Sequence, residues 1–290
     1  MEQDVILYFG ILIFLEYVVL VLQGKPTPRF NDTLTSISVG LFQECFRIAM
    51  RGFEMYLYCY LHEHFRLIDL SEQSAWFGLF TALLMDFGYY WIHRANHEIN
   101  ILWAHHQVHH SSDDFSMSVG VRHGIFNNWL SWILYSPLAF FIPPSQFVFH
   151  LQISMLYQIW IHTETVENLG PVIEWIFNTP EHHRIHHGCN KYLLDKNYGG
   201  VLIIWDRIFG TYQERTKEEK TIYSLIFPPN TFNLIRIQTY YYVPLWNRLK
   251  HYDNWTNRME ALFKGPSWEP GSPWTGWEHL KMSVRYQIRV

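Results

Sequence analysis

The stretch WIHRANHEINILWAHHQVHH (91–110) decides how this chain is read. It closes an apolar run, Ser74 to Ile92, and opens two histidine boxes, His93-Arg94-Ala95-Asn96-His97 and His106-Gln107-Val108-His109-His110. A third box, His183-Arg184-Ile185-His186-His187, lies further on. Residues at i, i+3 and i+4 share one face of a helix, so each box can aim two or three imidazoles at one point. A lone histidine is more often a packed or hydrogen-bonded residue than a ligand. Here, however, thirteen of the 17 histidines fall between His93 and His187, which a scatter of packing residues does not explain.

Neutral imidazole ligates iron, zinc, copper and nickel. Eight box histidines exceed what one ion can use, so two metals are the economical reading. A structural zinc site closes with four ligands, often including cysteine, and none of Cys45, Cys59 and Cys189 lies in a box. Nitrogen-rich irons more readily leave positions open for dioxygen.

Working outward, Val5 to Leu22 is apolar except for Glu16, close to the roughly 20 residues that a spanning helix needs. Its acidic start, Met-Glu-Gln-Asp, is unlike a cleaved signal peptide, so it reads as an anchor. Lys25 and Arg29 suggest that its far end is cytoplasmic. Ile37 to Leu61 carries Glu44, Arg47, Arg51 and Glu54, so it reads either as a span facing a bundle interior or as an interfacial helix. Ser74 to Ile92 is a third span. Ile125 to Ile142 and Phe147 to Ile161 form a helical hairpin turned at Pro143-Pro144. With the first exit cytoplasmic, the ends after Ile92 and Ile161 both reach the cytoplasmic side, where His93 and His162 begin polar stretches.

The expected fold is therefore all-α, a polytopic membrane helix bundle with a cytoplasmic histidine-rich cap holding a di-metal site. Residues 1–73 read as an anchor and a second membrane or interfacial helix, 74–215 as the catalytic domain, and 216–290 as a polar region of unknown role, with an irregular loop from Gly265 to Trp277. Pro171 to Arg215 reads as helices and turns completing the cap.

His162, at the end of the hairpin, is included as a ninth ligand beside His93, His97, His106, His109, His110, His183, His186 and His187. Metal-bound histidines usually donate their other N–H to a carboxylate or carbonyl. Asp86 lies on the stripe of His93 and His97 and is expected to orient a ligand; Glu98, Gln158, Glu164, His182 and Asp206 are further candidates for that role. His105 adjoins a box but falls outside its spacing. His150 reads as packing, and His62, His64, His123, His251 and His279 as ordinary.

Composition agrees with a lipid-facing chain. Aromatics make up 18%, including 13 Trp and 18 Tyr, and these two favour membrane–water interfaces. The mean hydropathy of -0.08 averages apolar windows against polar ones. A net charge of -4 with no basic stripe excludes nucleic acid as a partner. Three scattered cysteines give no disulfide framework.

The three boxes, HxxxH, HxxHH and HxxHH, resemble the fatty-acid hydroxylase/sterol desaturase superfamily of membrane di-iron oxygenases. So do Asn197-Tyr198-Gly199-Gly200, Trp205-Asp206 and Phe209-Gly210-Thr211, and the resemblance runs from Asp86 to Tyr212. DFGYYWIHR (86–94), HHSSDD (109–114), WIHTE (160–164), NTPEHHRIHHG (178–188) and DKNYGGVLIIWDRIFGT (195–211) are similar to its ether-lipid-cleaving branch. Beside that branch the chain reads as shorter at both ends, with few apolar segments after the third box.

This resemblance implies two irons, tetrahydrobiopterin or another external electron donor, and the endoplasmic-reticulum membrane with the active site facing the cytoplasm. It also implies a 1-O-alkylglycerol substrate, cleaved to a fatty aldehyde and glycerol. Two alternatives stay open: a fatty-acid or sterol hydroxylase/desaturase fed by cytochrome b5, and a non-catalytic membrane scaffold with structural zinc.

Overall fold

The computed structural model describes residues 2–68, 75–216 and 219–272, without the side chains of 2–6, 75 and 128–130. Ser74, His279 and the end of the expected 265–277 loop lie outside the described residues.

The chain is helical among the described residues, with two isolated β-bridges, Phe177 to Leu202 and Gly188 to Tyr223, and no strand. The apolar run at the start forms α1 (Glu2–Leu22). It stops at Gly24, whose φ of 64° takes the left-handed conformation that glycine allows at a helix end, and Pro26 prevents its resumption. α2 (Phe30–Phe65) has 36 residues and is about 54 Å long at the usual rise per residue, well beyond the expected segment. α3 (Ala75–Glu98) carries the first box on its last turns.

Ile99 is extended and separates α3 from α4 (Asn100–His106). The expected Ile125 to Ile142 helix is split into α5 (Asn127–Tyr135) and a 3-10 turn, Ser136–Phe140, whose second residue is Pro137. Pro143 caps α6 (Pro144–Ile161), so the hairpin turn falls where the two prolines are. Short helices α7 (Pro171–Ile176), α8 (Pro180–His186) and α9 (Ile204–Phe209) build the cap, the first two starting on a proline. α10 (Leu234–Thr239), α11 (Tyr242–His251) and α12 (Trp255–Phe263) follow.

Tyr58, Met85, Ile92, Tyr135, Ala139, Ile142 and Phe147 form the main core, which joins α2, α3, α5 and α6. Tyr58 stacks on Phe147 at 4.2 Å and donates to the Ile142 carbonyl at 3.0 Å, so its polar end is satisfied inside the apolar cluster. Because Ile92 belongs to this core and His93 follows it, the core is the floor of the histidine cap. The C-terminal helices clasp α4. Asn100 N–H donates to the Lys264 carbonyl and its side chain to the Ala261 carbonyl, while the Tyr241 hydroxyl donates to Asn100 Oδ1.

Among the described residues no helix is long and apolar enough to cross a membrane. The helices expected to span are present, but charges interrupt α2 and α3, Pro137 breaks the α5 segment, and α6 includes Gln146, His150, Gln152 and Gln158. Large apolar side chains nevertheless face outward along several helices: Phe14 and Leu22 on α1, Phe53 and Tyr56 on α2, Trp76 and Leu79 on α3, and Phe149 and Ile153 on α6.

Candidate metal centre

The cap brings nine imidazoles together in two adjoining groups. His93, His97, His106, His110 and His186 form one, and His109, His162, His183 and His187 the other; within each group the candidate ligand atoms lie within 4.8 Å of one another. All nine are at most 6% exposed. His93 and His97 come from α3, His106 from the end of α4, and His109 and His110 from the 3-10 turn His109–Ser111. His183 and His186 lie on α8, whose C-cap is His187. The second box therefore is not one continuous helix. The change of winding after Gln107 sends His109 to one group and His106 and His110 to the other. His110 stacks on His187 at 4.3 Å, so the groups share a wall.

The orientation of the rings supports metal binding. Nδ1 of His93 lies 2.9 Å from the Tyr198 carbonyl, that of His186 2.9 Å from the Lys196 carbonyl, and that of His109 3.2 Å from the Arg122 carbonyl. His162 Nδ1 meets the Gln158 carbonyl. A carbonyl only accepts, so each of these Nδ1 atoms carries the proton and each Nε2 presents a lone pair.

In the five-histidine group, Nε2 of His93, His97, His106, His110 and His186 is buried with no hydrogen-bond partner. In the four-histidine group, His162 Nε2 lies 3.2 Å from His109 Nε2, 3.2 Å from His187 Nε2 and 2.9 Å from His183 Nε2. Lone pairs on His162 and His109 facing each other at that distance repel unless a cation lies between them. At a metal–nitrogen distance of about 2.1 Å, neighbouring ligands are about 3.0 Å apart at a right angle and about 4.2 Å apart across the ion. The three separations within the four-histidine group, 2.9–3.2 Å, match neighbouring ligands of one ion.

Burial lowers every one of these pKa values, and neighbouring imidazoles add to the effect at all but His186. His93, His97, His106, His109, His110, His183 and His187 are pushed well below the usual histidine range. Burial takes His186 to about 4 and His162 to about 3 although their carbonyl bonds oppose the shift. At neutral pH all nine are neutral ligands, as metal binding requires.

Three aromatic rings close the groups. Trp103 and Tyr198 pack beside His97 at 5.1 and 5.2 Å, and Phe115 beside His187 and His162 at 5.2 and 5.7 Å. Gly120 lets the 3-10 turn Val119–Val121 approach α6, since a Cβ there would sit 3.2 Å from His162 Nδ1 and from the Ile159 backbone. The buried Arg184 donates to the carbonyls of Thr163, Val166 and Glu167 at 2.8, 2.7 and 3.1 Å, which holds the loop after His162 against α8.

The expected orienting residues mostly do other work. Asp86 does not reach a histidine; it accepts from Val201 N–H, Leu202 N–H and Trp205 Nε1 at 2.8, 3.1 and 2.9 Å, pinning the 199–205 turn to α3. Glu98 pairs with Arg94. Gln158 acts through its carbonyl, its side chain donating instead to Ser154. Glu164 accepts from the Tyr223 hydroxyl, and His182 caps α8 at Thr179.

Asp206 works at one remove. It accepts from Tyr198 N–H and Gly199 N–H, both at 2.7 Å, and so holds the carbonyl that meets His93. Sequence reasoning missed Asp195, whose Oδ1 is 3.4 Å from His97 Nδ1, and His123, which stacks on His109 at 5.0 Å. Their spacing from the boxes carries no signal. His105 is buried but joins neither group, and His150 meets Thr81 at 2.9 Å.

The fatty acid hydroxylase family model matches residues 78–211, the stretch that carries all nine of these histidines. Over most of its length the chain is also similar to alkylglycerol monooxygenases. It is 48% identical to the Homo sapiens protein over 270 residues and 47% identical to that of Xenopus tropicalis, covering 93% of this chain and 60% of each relative. The Caenorhabditis elegans alkylglycerol monooxygenase is 37% identical over 289 residues, 94% of this chain and 56% of that protein. The chain thus spans about 60% of the length of the vertebrate relatives it matches. No solved structure matches it.

Proposed function

We propose that the nine histidines hold two irons, five around one and four around the other, and that the chain belongs to a membrane monooxygenase cleaving the ether bond of 1-O-alkylglycerols. The observation that carries this reading is the convergence of buried, mutually facing Nε2 lone pairs in two groups. When bound, a reduced iron pair supplies activation of dioxygen, and tetrahydrobiopterin is the electron donor. Hydroxylation of the alkyl carbon beside the ether oxygen gives a hemiacetal, which collapses to a fatty aldehyde and glycerol.

The protein's own part is to orient the imidazoles through backbone carbonyls, to keep them neutral by burial, and to exclude water with Trp103, Phe115 and Tyr198. The outward apolar side chains of α1, α2, α3 and α6 support contact with a lipid membrane and an alkyl tail arriving from lipid; the endoplasmic reticulum and a cap toward the cytoplasm are what the family resemblance implies.

Two measurements test the reading. One is the metal content of purified protein. The other is aldehyde release from a fluorescent 1-O-alkylglycerol, with and without tetrahydrobiopterin, beside a His186→Ala variant. Pterin-dependent aldehyde that vanishes in the variant supports ether cleavage, whereas iron-loaded protein that releases none refutes it. A hydroxylase without cleavage, fed by cytochrome b5, is the second reading. It draws support from ornithine lipid hydroxylase OlsE of Rhizobium tropici, 30% identical over 143 residues (48% of this chain, 42% of that protein).

A further inference from the structure

A line of oxidisable rings leads from the five-histidine group to the surface. Tyr198, fully buried, lies 5.2 Å from His97 and 5.9 Å from His93 between ring centroids. Tyr90, also fully buried, is 6.2 Å beyond it, and Trp91, 41% exposed, is 5.4 Å from Tyr90.

The two phenols differ in what surrounds their hydroxyls. That of Tyr198 is buried without a hydrogen-bond partner, so an electron removed there would leave a proton with no acceptor. The Tyr90 hydroxyl is 2.9 Å from Thr211 Oγ1, which is itself 2.7 Å from Asp206 Oδ1. A carboxylate only accepts, so Thr211 donates to Asp206, and Tyr90 in turn donates to Thr211. Arg94 completes the site with a bond to the phenol oxygen at 3.2 Å. Tyr90 is thus a buried phenol connected through one hydroxyl to a carboxylate, an arrangement that lets electron and proton leave together.

We propose that Tyr90, with Thr211 and Asp206, is a one-electron outlet that protects the centre when dioxygen has oxidised the metal pair and no lipid is bound. Tyr90 gives the oxidised pair one electron across the Tyr198 ring. Its proton passes to Thr211 as the Thr211 proton passes to Asp206. The products are a neutral Tyr90 radical, a metal pair one electron more reduced, and a protonated Asp206. A soluble one-electron reductant such as ascorbate then returns the electron through Trp91, and the proton moves back along the same bonds. The proposal rests on the di-metal reading above.

The test uses iron-loaded full-length protein, reduced with tetrahydrobiopterin, mixed with dioxygen without lipid and frozen for electron paramagnetic resonance. A free-radical signal that narrows when the protein carries ring-deuterated tyrosine is expected. It should be lost in Tyr90→Phe and in Thr211→Val at unchanged iron content, and kept in Tyr198→Phe, which preserves the intervening ring. Tyr90→Phe should also inactivate in fewer lipid-free turnovers. A signal retained in Tyr90→Phe, or absent from iron-loaded wild type whose metals have been oxidised, overturns this proposal and leaves the di-metal reading intact. Protein that binds no metal pair overturns both.

Discussion

Replacing Arg122 with methionine tests how the second box is held. The guanidinium is 2% exposed and bridges two parts of the fold. It donates to the Val108 carbonyl at 3.2 Å and to the Ser111 hydroxyl at 2.9 Å, and reaches Asp32 and Ser36 on α2 at 3.5 and 3.3 Å. Its loss leaves the Asp32 carboxylate, 4% exposed, without that charge. Stranding one partner of a buried pair costs about 3–5 kcal/mol. The 3.5 Å separation is long and Asp32 keeps the Ser112 hydroxyl, which favours the low end. Val108 O and Ser111 retain the local bond between them, so little is added there. A loss of about 3 kcal/mol lowers the thermal midpoint by roughly 6–12 °C for a chain of this size. Asp32→Asn combined with Arg122→Met removes the stranded charge and should recover about 1–2 kcal/mol, a coupling that a double-mutant cycle reads directly. Tryptophan fluorescence on heating the purified wild type, single variants and double variant is the assay. A midpoint shift below about 2 °C in Arg122→Met, or strict additivity in the double variant, would refute the reasoning.

Other expected outcomes follow from the same geometry. His162→Ala should lose the metal of the four-histidine group and His106→Ala that of the other, as elemental analysis and Mössbauer spectra of iron-57-loaded protein will report. Asp195→Asn removes the charge beside His97 Nδ1 and should weaken metal binding about 10-fold in a chelator competition. Gly124→Ala places a Cβ 2.3 Å from the His105 carbonyl, a backbone atom that cannot step aside, and should cost about 1–3 kcal/mol in denaturant unfolding. Gly10→Ala meets nothing within 4 Å and should not destabilise. For metal-free protein, His162 and His186 titrate at about 3 and 4 when folded, against 6.5 for the ordinary side chain. Between those values the unfolded chain binds more protons, so stability is complete above about pH 6.5 and falls as the pH drops toward about 3–4. A metal-free thermal midpoint that rises on acidification contradicts this.

The sequence made the all-helical fold and the meeting of the nine histidines legible, because box spacing and helical periodicity are the same signal. Pro143-Pro144 marked the hairpin turn for an equally local reason. The partition into five and four was not legible: it depends on α4 ending at His106 and a 3-10 turn carrying His109 and His110 onward. Nor were the groups that orient the rings. Asp86 and Glu164 drew attention as carboxylates near boxes, but the acceptors are mainly the carbonyls of Gln158, Lys196, Tyr198 and Arg122, which every residue possesses and no residue type announces. His123 reaches His109 only because the 109–122 loop returns on itself. The clasp of α10 to α12 on α4 likewise has no pattern in a polar stretch.

That reliance on carbonyls bears on how such a chain can change over evolutionary time. A substitution at Lys196 or at Arg122 alters a side chain but leaves in place the oxygen that steers a ring. An insertion or deletion of one residue between His187 and Tyr198 would instead shift two steering oxygens relative to their imidazoles at once. Drift in this cap is thus expected to accumulate as replacements at fixed loop length, with length variation displaced to other parts of the chain.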